Sequence, residues 1–76
     1  MRLKVEGMEY IDADEIADLW GFASKRSVYS AISRAKREHP EFTFPVPDMI
    51  IDHKFFWGED LIPEIMTWRR WYVRGM

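Results

Sequence analysis

Basic and hydroxyl side chains are concentrated in one stretch of this 76-residue chain, residues 24–37, which reads SKRSVYSAISRAKR. The stretch holds five Lys or Arg residues, four Ser residues and no acid. Guanidinium groups match phosphates and the edge of guanine, and small hydroxyls donate or accept at either. The chemistry that these residue types offer is recognition of a nucleic acid, whereas a solvated basic face on an ordinary helix is the alternative.

Placed on a helix at about 100° per residue, residues 24–37 separate into two sides. The apolar stripe consists of Ser24, Val28, Ala31, Ile32 and Ala35. The opposite side carries Arg26, Ser30, Ser33 and Arg37, with Tyr29 and Lys36 along one edge and Arg34 along the other. To enter a DNA groove, a helix needs an apolar stripe that packs inward and a basic outer side. Here the outer side also carries a ridge of small Ser residues, which lets the backbone come close.

The formal net charge of the whole chain is −2, which by itself argues against a nucleic-acid binder. The charge is unevenly distributed, because residues 1–20 hold six acids and two bases while residues 38–76 hold seven acids and four bases. Charges within a Debye length of about 10 Å decide contact with a polyanion. We therefore expect local DNA binding that is weak for a solitary molecule and strengthened by neighbours.

Length and composition indicate one domain, residues 1–76, with a small core. The chain has no cysteine, so neither disulfides nor a thiolate zinc site stabilises it, and four Trp residues supply apolar mass instead. No run of residues is long enough for a membrane span, and the first residues lack the apolar core of a signal peptide. A soluble protein of the cytoplasm is the expectation.

The first half of the chain predicts a short strand and two helices. Residues 8–11 alternate and end at Asp12, which with Glu15 forms a capping-box pattern for a helix from Ala13 to about Trp20. The acids of this segment suit a helix start, and paired general acids or a metal site are the alternative. Gly21 then stops the helix, and Ser24 caps a second one that ends near residue 38. This order is the helix-turn-helix pattern.

A proline-rich segment and a hairpin follow. Residues 41–47 are expected to be extended because prolines alternate there. Residues 49–51 and 55–57 read as strands joined by a polar tip, Asp52-His53-Lys54. Beside a helix-turn-helix such a hairpin is a wing, whose His53 and Lys54 reach the DNA backbone or minor groove. The acids Asp48 and Asp52 leave a purely structural hairpin as the alternative.

A last helix is expected to begin near residue 59 or 60, to accept Pro63 in its first turn and to run to about Arg74. Its packing stripe consists of Leu61, Ile65, Trp68 and Tyr72. Further apolar residues lie off the stripe, so this helix either packs on two sides or offers aromatic surface to a partner. Its terminal arginines suit the helix dipole and are also within reach of DNA.

The sequence offers no catalytic nucleophile, no glycine loop for phosphate and no zinc spacing. We therefore expect neither an enzyme, nor a cofactor, nor a small-molecule substrate. The two histidines, His39 and His53, fall in different elements and are not expected to bind metal. The fold class that these elements predict is α+β, with three helices and a small antiparallel sheet that includes the wing hairpin.

The order of motifs resembles the small excisionase and MerR-like winged-helix family. The motifs are IDADEIADLWGF, then SVYSAI, FPVP, FW and GEDL, over about residues 10–68. The chain looks most like phage excisionases of the actinobacteriophage kind, which are recombination directionality factors. The resemblance implies a DNA-binding protein that bends double-stranded DNA and helps a tyrosine or serine integrase catalyse phage excision, without chemistry of its own.

In that family the second helix enters the major groove and the wing contacts the minor groove or backbone. On matching positions the resemblance implies DNA contacts for Lys25, Arg26, Ser27, Tyr29, Ser30, Ser33, Arg34, His53 and Lys54. Arg37 is added by its place on the helix and not by the family.

Three functions remain open at this point. The leading one is an excisionase that binds adjacent sites cooperatively, through self-association on DNA, inside a bacterial host cell. The second is a phage transcriptional regulator of the same fold, binding as a two-fold dimer; the lack of a long dimerising helix after Met76 speaks against it. The third is a protein-binding adaptor that does not use DNA, which the net acidity and the tryptophans favour.

Overall fold

The computed structural model describes residues 2–41 and 43–75 of the chain. The elements, in chain order, are strands β1 (Arg2–Val5) and β2 (Met8–Ile11), helices α1 (Ala13–Trp20) and α2 (Lys25–Glu38), strands β3 (Met49–Ile51) and β4 (Lys54–Gly58), a 3₁₀ turn (Glu59–Leu61) and helix α3 (Ile62–Gly75). The structure therefore confirms the α+β class with three helices and a small antiparallel sheet.

The four strands form one antiparallel sheet in the order β1-β2-β4-β3. Strand β1 was not expected from the sequence. It pairs with β2 along its whole length, with Leu3 opposite Tyr10, and the two are joined by Glu6 and Gly7, both at positive φ. Strand β2 then pairs with β4 at Ile11 and Trp57, which links the N-terminal hairpin to the C-terminal one.

Helix α1 has the predicted bounds, and both of its ends are capped as expected. The Glu15 backbone N–H donates to Asp12 Oδ1 over 3.0 Å. At the other end, Gly21 adopts a left-handed conformation with φ 78°, and the Phe22 N–H donates to the Ala17 carbonyl over 2.8 Å. This pair of features ends the helix because glycine pays no steric penalty at positive φ.

Helix α2 also has the expected bounds, but its N-cap differs from the prediction. Ser24 occupies the cap position in extended backbone, yet its side chain makes no capping hydrogen bond. The Ser27 N–H instead donates to the Ser24 carbonyl over 3.2 Å. The start of α2 therefore lacks the side-chain acceptor that Asp12 gives α1.

The core lies where α1, α2 and α3 pack against β2 and β4. Its most completely buried side chains are Ile11, Ile16, Val28 and Ile65. Around them the rings of Trp20 and Trp68 stack 5.5 Å apart. Aromatic residues thus supply much of the buried area, as the composition predicts for a chain of this length.

The last helix differs from the prediction in its start, and its apolar residues pack against the core, which is one of the two alternatives that the sequence leaves open. Its first turn is 3₁₀, and the α-helical part begins at Ile62, just before Pro63. Trp71 and Tyr72 are partly buried and pack against the core, and Tyr72 stacks on Trp68 with centroids 5.3 Å apart. Of the described large apolar residues of α3, only Val73 is exposed, so the structure favours packing on two sides over an aromatic surface for a partner.

The proline-rich segment is neither helix nor strand over residues 43–47, and residue 42 of the predicted extended segment lies outside the described residues. The segment is held to the sheet because the Trp57 indole N–H donates to the Pro45 carbonyl over 2.8 Å. Phe44 fills the space beneath, with its ring centroid 5.2 Å from that of Trp68. In the described part of the chain, no helix is long and apolar enough to cross a membrane.

Candidate nucleic-acid interface

Helix α2 presents the two sides that its sequence predicts. Val28, Ala31 and Ala35 are 5 % exposed or less and face the core. Arg26 and Arg37, with the Ser residues between them, are exposed on the opposite side. The apolar stripe holds the helix in the core, and its basic side is exposed.

The charges on this side are largely uncompensated by the protein. Arg34 is the exception, since its Nε lies 3.7 Å from Glu38 Oε2 in an exposed pair one turn further along α2. Among the described residues, no carboxylate lies within 4.0 Å of the charged groups of Lys25, Arg26 or Arg37. The cationic groups at both ends of the helix face are therefore available to an anionic partner.

Two shallow depressions follow the exposed side of α2. The one nearer the hairpin is lined by Lys25, Arg26, Tyr29, Ser30, Ser33 and Arg37. The other, on the side of α3, is lined by Phe22, Arg26, Ser27, Ser30, Ala31, Arg34, Arg37 and Tyr72. Of the ten residues predicted to contact DNA, Ser27 and Arg34 thus lie on the flank away from the hairpin, and Arg26, Ser30 and Arg37 lie on the crest between the two depressions.

The hairpin formed by β3 and β4 turns tightly at its tip. Ile51 pairs with Lys54, and the two residues between them, Asp52 and His53, have φ of 50° and 66°. Two consecutive positive φ values are those of a type I′ turn, whose twist matches that of the flanking strands. Lys54 is consequently the first residue of β4 and not part of the tip.

Asp48 and Asp52, the two acids that leave a purely structural hairpin as the alternative to a wing, lie at different places in the hairpin. Asp48 is at the base of the hairpin, where its Oδ2 accepts from the Gly58 N–H over 2.7 Å. A side chain on Gly58 would collide with this carboxylate, because a Cβ there would lie 2.8 Å from Asp48 Oδ2. Asp48 is thus a structural residue remote from the tip. Asp52 remains the acid of the turn itself.

The hairpin and α2 meet in a cleft of about 350 Å³, lined by Asp12, Ala13, Asp14, Lys25, Tyr29, His53, Lys54 and Phe55. Four of the ten predicted residues come together here, two from α2 and two from the hairpin. The rings of Tyr29 and Phe55, whose centroids are 6.4 Å apart, join the two elements. Helix and hairpin therefore form one continuous surface.

Electrostatics within the cleft act on Tyr29. Burial and then the negative charges of Asp12 and Asp14 raise the pKa of its phenol above 10.0. A phenol is neutral at pH 7 and its hydroxyl can donate or accept, and the raised pKa keeps it neutral to higher pH. Sequence reasoning assigned Tyr29 to DNA but missed Asp14 and Phe55. In the sequence, Asp14 is typical of a solvent-exposed acid in the first turn of a helix. Only the three-dimensional packing brings it into the cleft.

The two histidines lie apart from each other, and neither belongs to a metal-binding cluster of the described residues. In residues 2–41 and 43–75, no group of three or more His, Cys, Asp or Glu side chains could hold a metal ion. His39 lies near Glu41, with 3.5 Å between Nδ1 and Oε1, and its ring meets that of Trp71 edge to face. It is therefore used in packing at the end of α2, whereas His53 is at the hairpin tip.

Comparison with protein-family models, with curated proteins and with solved structures finds no match to this chain.

Proposed function

We propose that this chain is a sequence-specific double-stranded DNA-binding protein with a winged-helix architecture. In this proposal α1 and α2 form the helix-turn-helix, α2 enters the major groove, and the β3–β4 hairpin is the wing. The observation that carries the proposal is the single cleft in which Lys25 of α2 lies with His53 and Lys54 of the hairpin. One stretch of DNA can thus touch both elements at once.

We assign contacts to bases and contacts to phosphates from the exposure and the chemistry of each side chain. Arg26 and Arg37 lie on the crest of α2 with Ser30 between them, and all three are exposed. Guanidinium groups bind guanine edges or phosphates, and Ser binds either. In this proposal Lys25, His53 and Lys54, which line one cleft at the helix start and the hairpin, bind neighbouring phosphates along one strand, and such contacts fix position rather than sequence.

We assign the chain, within this proposal, the role of an excisionase that directs an integrase toward phage excision. The motif resemblance supports the role, and the size of the domain agrees with it. A single short helix reads few base pairs, so high affinity requires adjacent copies or an integrase on the same DNA. Binding of neighbouring copies along DNA would also bend it.

The experiment that tests this proposal is selection of bound duplexes from a random DNA pool at moderate salt. Directly repeated motifs at a regular spacing are expected for an excisionase. Inverted half-sites would instead favour a dimeric transcriptional regulator of the same fold. Loss of enrichment in the double variant Arg26→Ala and Arg37→Ala is the matched control, since both side chains are exposed and neither packs in the core.

A protein-binding adaptor is the second candidate, and one observation favours it. An apolar groove of about 480 Å³ runs between α2, the proline-rich segment and β4, floored by Phe44, Trp57 and Trp68. Val46 on its rim is 79 % exposed, the most exposed of the large apolar residues described. If selection enriches no motif even at low salt, this groove and not the basic face of α2 is the surface to pursue.

A further inference from the structure

An exposed acid lies inside the surface that the proposed function assigns to DNA. Asp14 is on the first turn of α1 and lines the same cleft as Lys25 and Lys54. Its charge acts on Tyr29, whose pKa is raised by burial first and then by Asp12 and Asp14. The carboxylate therefore belongs electrostatically to the cleft, where it would repel a phosphate.

Interactions within the protein do not account for the position of Asp14 in the cleft. Asp12, the other acid of the cleft, is 3 % exposed and caps α1 by accepting from the Glu15 N–H. Asp14 has no hydrogen bond or ion pair with any described residue. Stabilisation of the helix dipole does not require it, because Glu15 supplies a negative charge on the same turn and is held there by Arg2, with 3.4 Å between Oε1 and Nε.

We infer, on the basis of the proposed function, that Asp14 is a specificity-determining residue that accepts a hydrogen bond from the exocyclic amine of cytosine or adenine in the major groove. A carboxylate only accepts hydrogen bonds. In the major groove the amines of cytosine and adenine are donors, whereas guanine and thymine present only acceptors at the corresponding positions. At one position of one strand, Asp14 thus selects for adenine or cytosine, which carry an amine, and against guanine and thymine, which do not present one there.

The positive charges of Lys25 and Lys54 allow a carboxylate to lie close to DNA. Lys25 and Lys54 line the cleft with Asp14 and offset its repulsion of the backbone, while Tyr29 contributes a neutral hydroxyl. Removal of the carboxylate then has two opposite effects. Binding to DNA in general becomes stronger because a like charge is removed, and discrimination at one base pair becomes weaker because the acceptor is lost.

The matched pair of variants is Asp14→Ala and Asp18→Ala. Both acids are exposed on α1, one turn apart, but Asp18 does not line the cleft. Each variant and the wild type are used to select duplexes from the random pool. Wild type and Asp18→Ala are expected to select the same motif, whereas Asp14→Ala selects a motif in which one adenine or cytosine preference is lost.

A second measurement uses duplexes of the selected motif with analogues that lack only the amine, 2-pyrimidinone for cytosine and purine for adenine. At one position the wild type is expected to lose about fivefold or more in affinity, and Asp14→Ala to lose none. An unchanged motif for Asp14→Ala, with tighter binding to every duplex, would overturn the inference and make Asp14 a simple repulsive charge. Absence of any motif for the wild type would instead remove the proposed function and this inference together.

Discussion

The rings of Tyr29 in α2 and Phe55 in β4 meet edge to face, with their centroids 6.4 Å apart and their planes at 68°. Phe55 in turn lies 6.4 Å from Trp57, which is 2 % exposed. A chain of three rings therefore connects the basic helix through the hairpin to the core. Backbone pairing of β4 with β2 anchors the end of the hairpin away from its tip, whereas these ring contacts hold the hairpin against α2, with which it shares no backbone pairing.

Phe55→Ala is expected to loosen the hairpin more than it destabilises the domain. Phe55 is 37 % exposed, and an aromatic pair contributes about 0.5 to 1.5 kcal/mol beyond the area it buries. We expect the free energy of unfolding in urea to fall by about 1 to 2 kcal/mol and amide exchange in β3 and β4 to accelerate. Val73→Ala, at a side chain 59 % exposed on α3, is the control and should stay within about 0.5 kcal/mol. Unchanged exchange in β3 would show that the ring contact does not hold the hairpin.

Trp68→Ala is expected to unfold the protein. Trp68 is 6 % exposed, and its ring stacks on Trp20 at 5.5 Å and meets Phe44 at 5.2 Å. Removing such a side chain costs about 3 to 5 kcal/mol, which is a large part of the stability available to a small domain. Far-ultraviolet circular dichroism at 25 °C should therefore show a loss of helix. A cooperative thermal transition close to that of the wild type would contradict the central place of Trp68 in the core.

The two helix caps predict different mutational costs. Asp12 caps α1 through a 3.0 Å hydrogen bond from the Glu15 N–H, whereas the Ser24 side chain makes no such bond to α2. Asp12→Ala is expected to lower the free energy of unfolding by about 1 to 2 kcal/mol, and Ser24→Ala by about 0.5 kcal/mol or less. Urea denaturation of the two variants measures the difference. Equal losses would mean that the Ser24 hydroxyl caps α2 in solution.

Local signals in the sequence were sufficient for most of the fold. The bounds of α1 follow from Asp12 at one end and Gly21 at the other, and the β3–β4 hairpin follows from two apolar runs around a polar tip. Strand β1 was missed although Arg2-Leu3-Lys4-Val5 alternates polar and apolar residues, because an alternating run of only four residues is a short signal. The pairing of β2 with β4, in contrast, joins segments that are distant in the chain, a tertiary effect that local propensity does not encode.

The same limit applies to the candidate site. The exposed side of α2 was predictable from helical periodicity, since the positions of Arg26 and Arg37 depend on one helix alone. The cleft was not, because it requires Asp14 of α1, Lys25 of α2 and Lys54 of β4 to be brought together by packing. For the same reason the sequence left open whether α3 offers apolar surface to a partner and gave no sign of the groove whose exposed rim is at Val46.

The raised pKa of Tyr29 predicts a pH dependence of stability. Burial, and then Asp12 and Asp14, favour the neutral phenol in the folded protein, so its folded pKa lies above the unfolded value of about 10.0. The contribution of this group is therefore fully present below about pH 10 and is lost as the pH rises toward the folded pKa. Relative to Tyr29→Phe, the wild type should lose stability in urea only above about pH 10. Absorbance at 295 nm should show that the variant lacks the component that ionises at the higher pH, and a difference in stability that is constant up to pH 11 would contradict the shift.

Arg34 and Arg37 provide the sharpest electrostatic comparison on α2, because they are one turn apart and differ in their partners. Arg34 lies 3.7 Å from Glu38, whereas Arg37 has no described carboxylate within 4.0 Å. Under the DNA-binding proposal, a phosphate contact by Arg37 contributes about one unit to the slope of log affinity against log salt. Arg37→Ala should therefore lower the slope by about one unit and Arg34→Ala by less, because Glu38 already neutralises part of the Arg34 charge.

Binding to a selected duplex between 50 and 200 mM salt measures both slopes, and Glu38→Gln in the wild-type background should raise the slope by releasing Arg34. If Arg34→Ala lowers the slope more than Arg37→Ala does, the flank of α2 that faces α3 and not the crest contacts the phosphates.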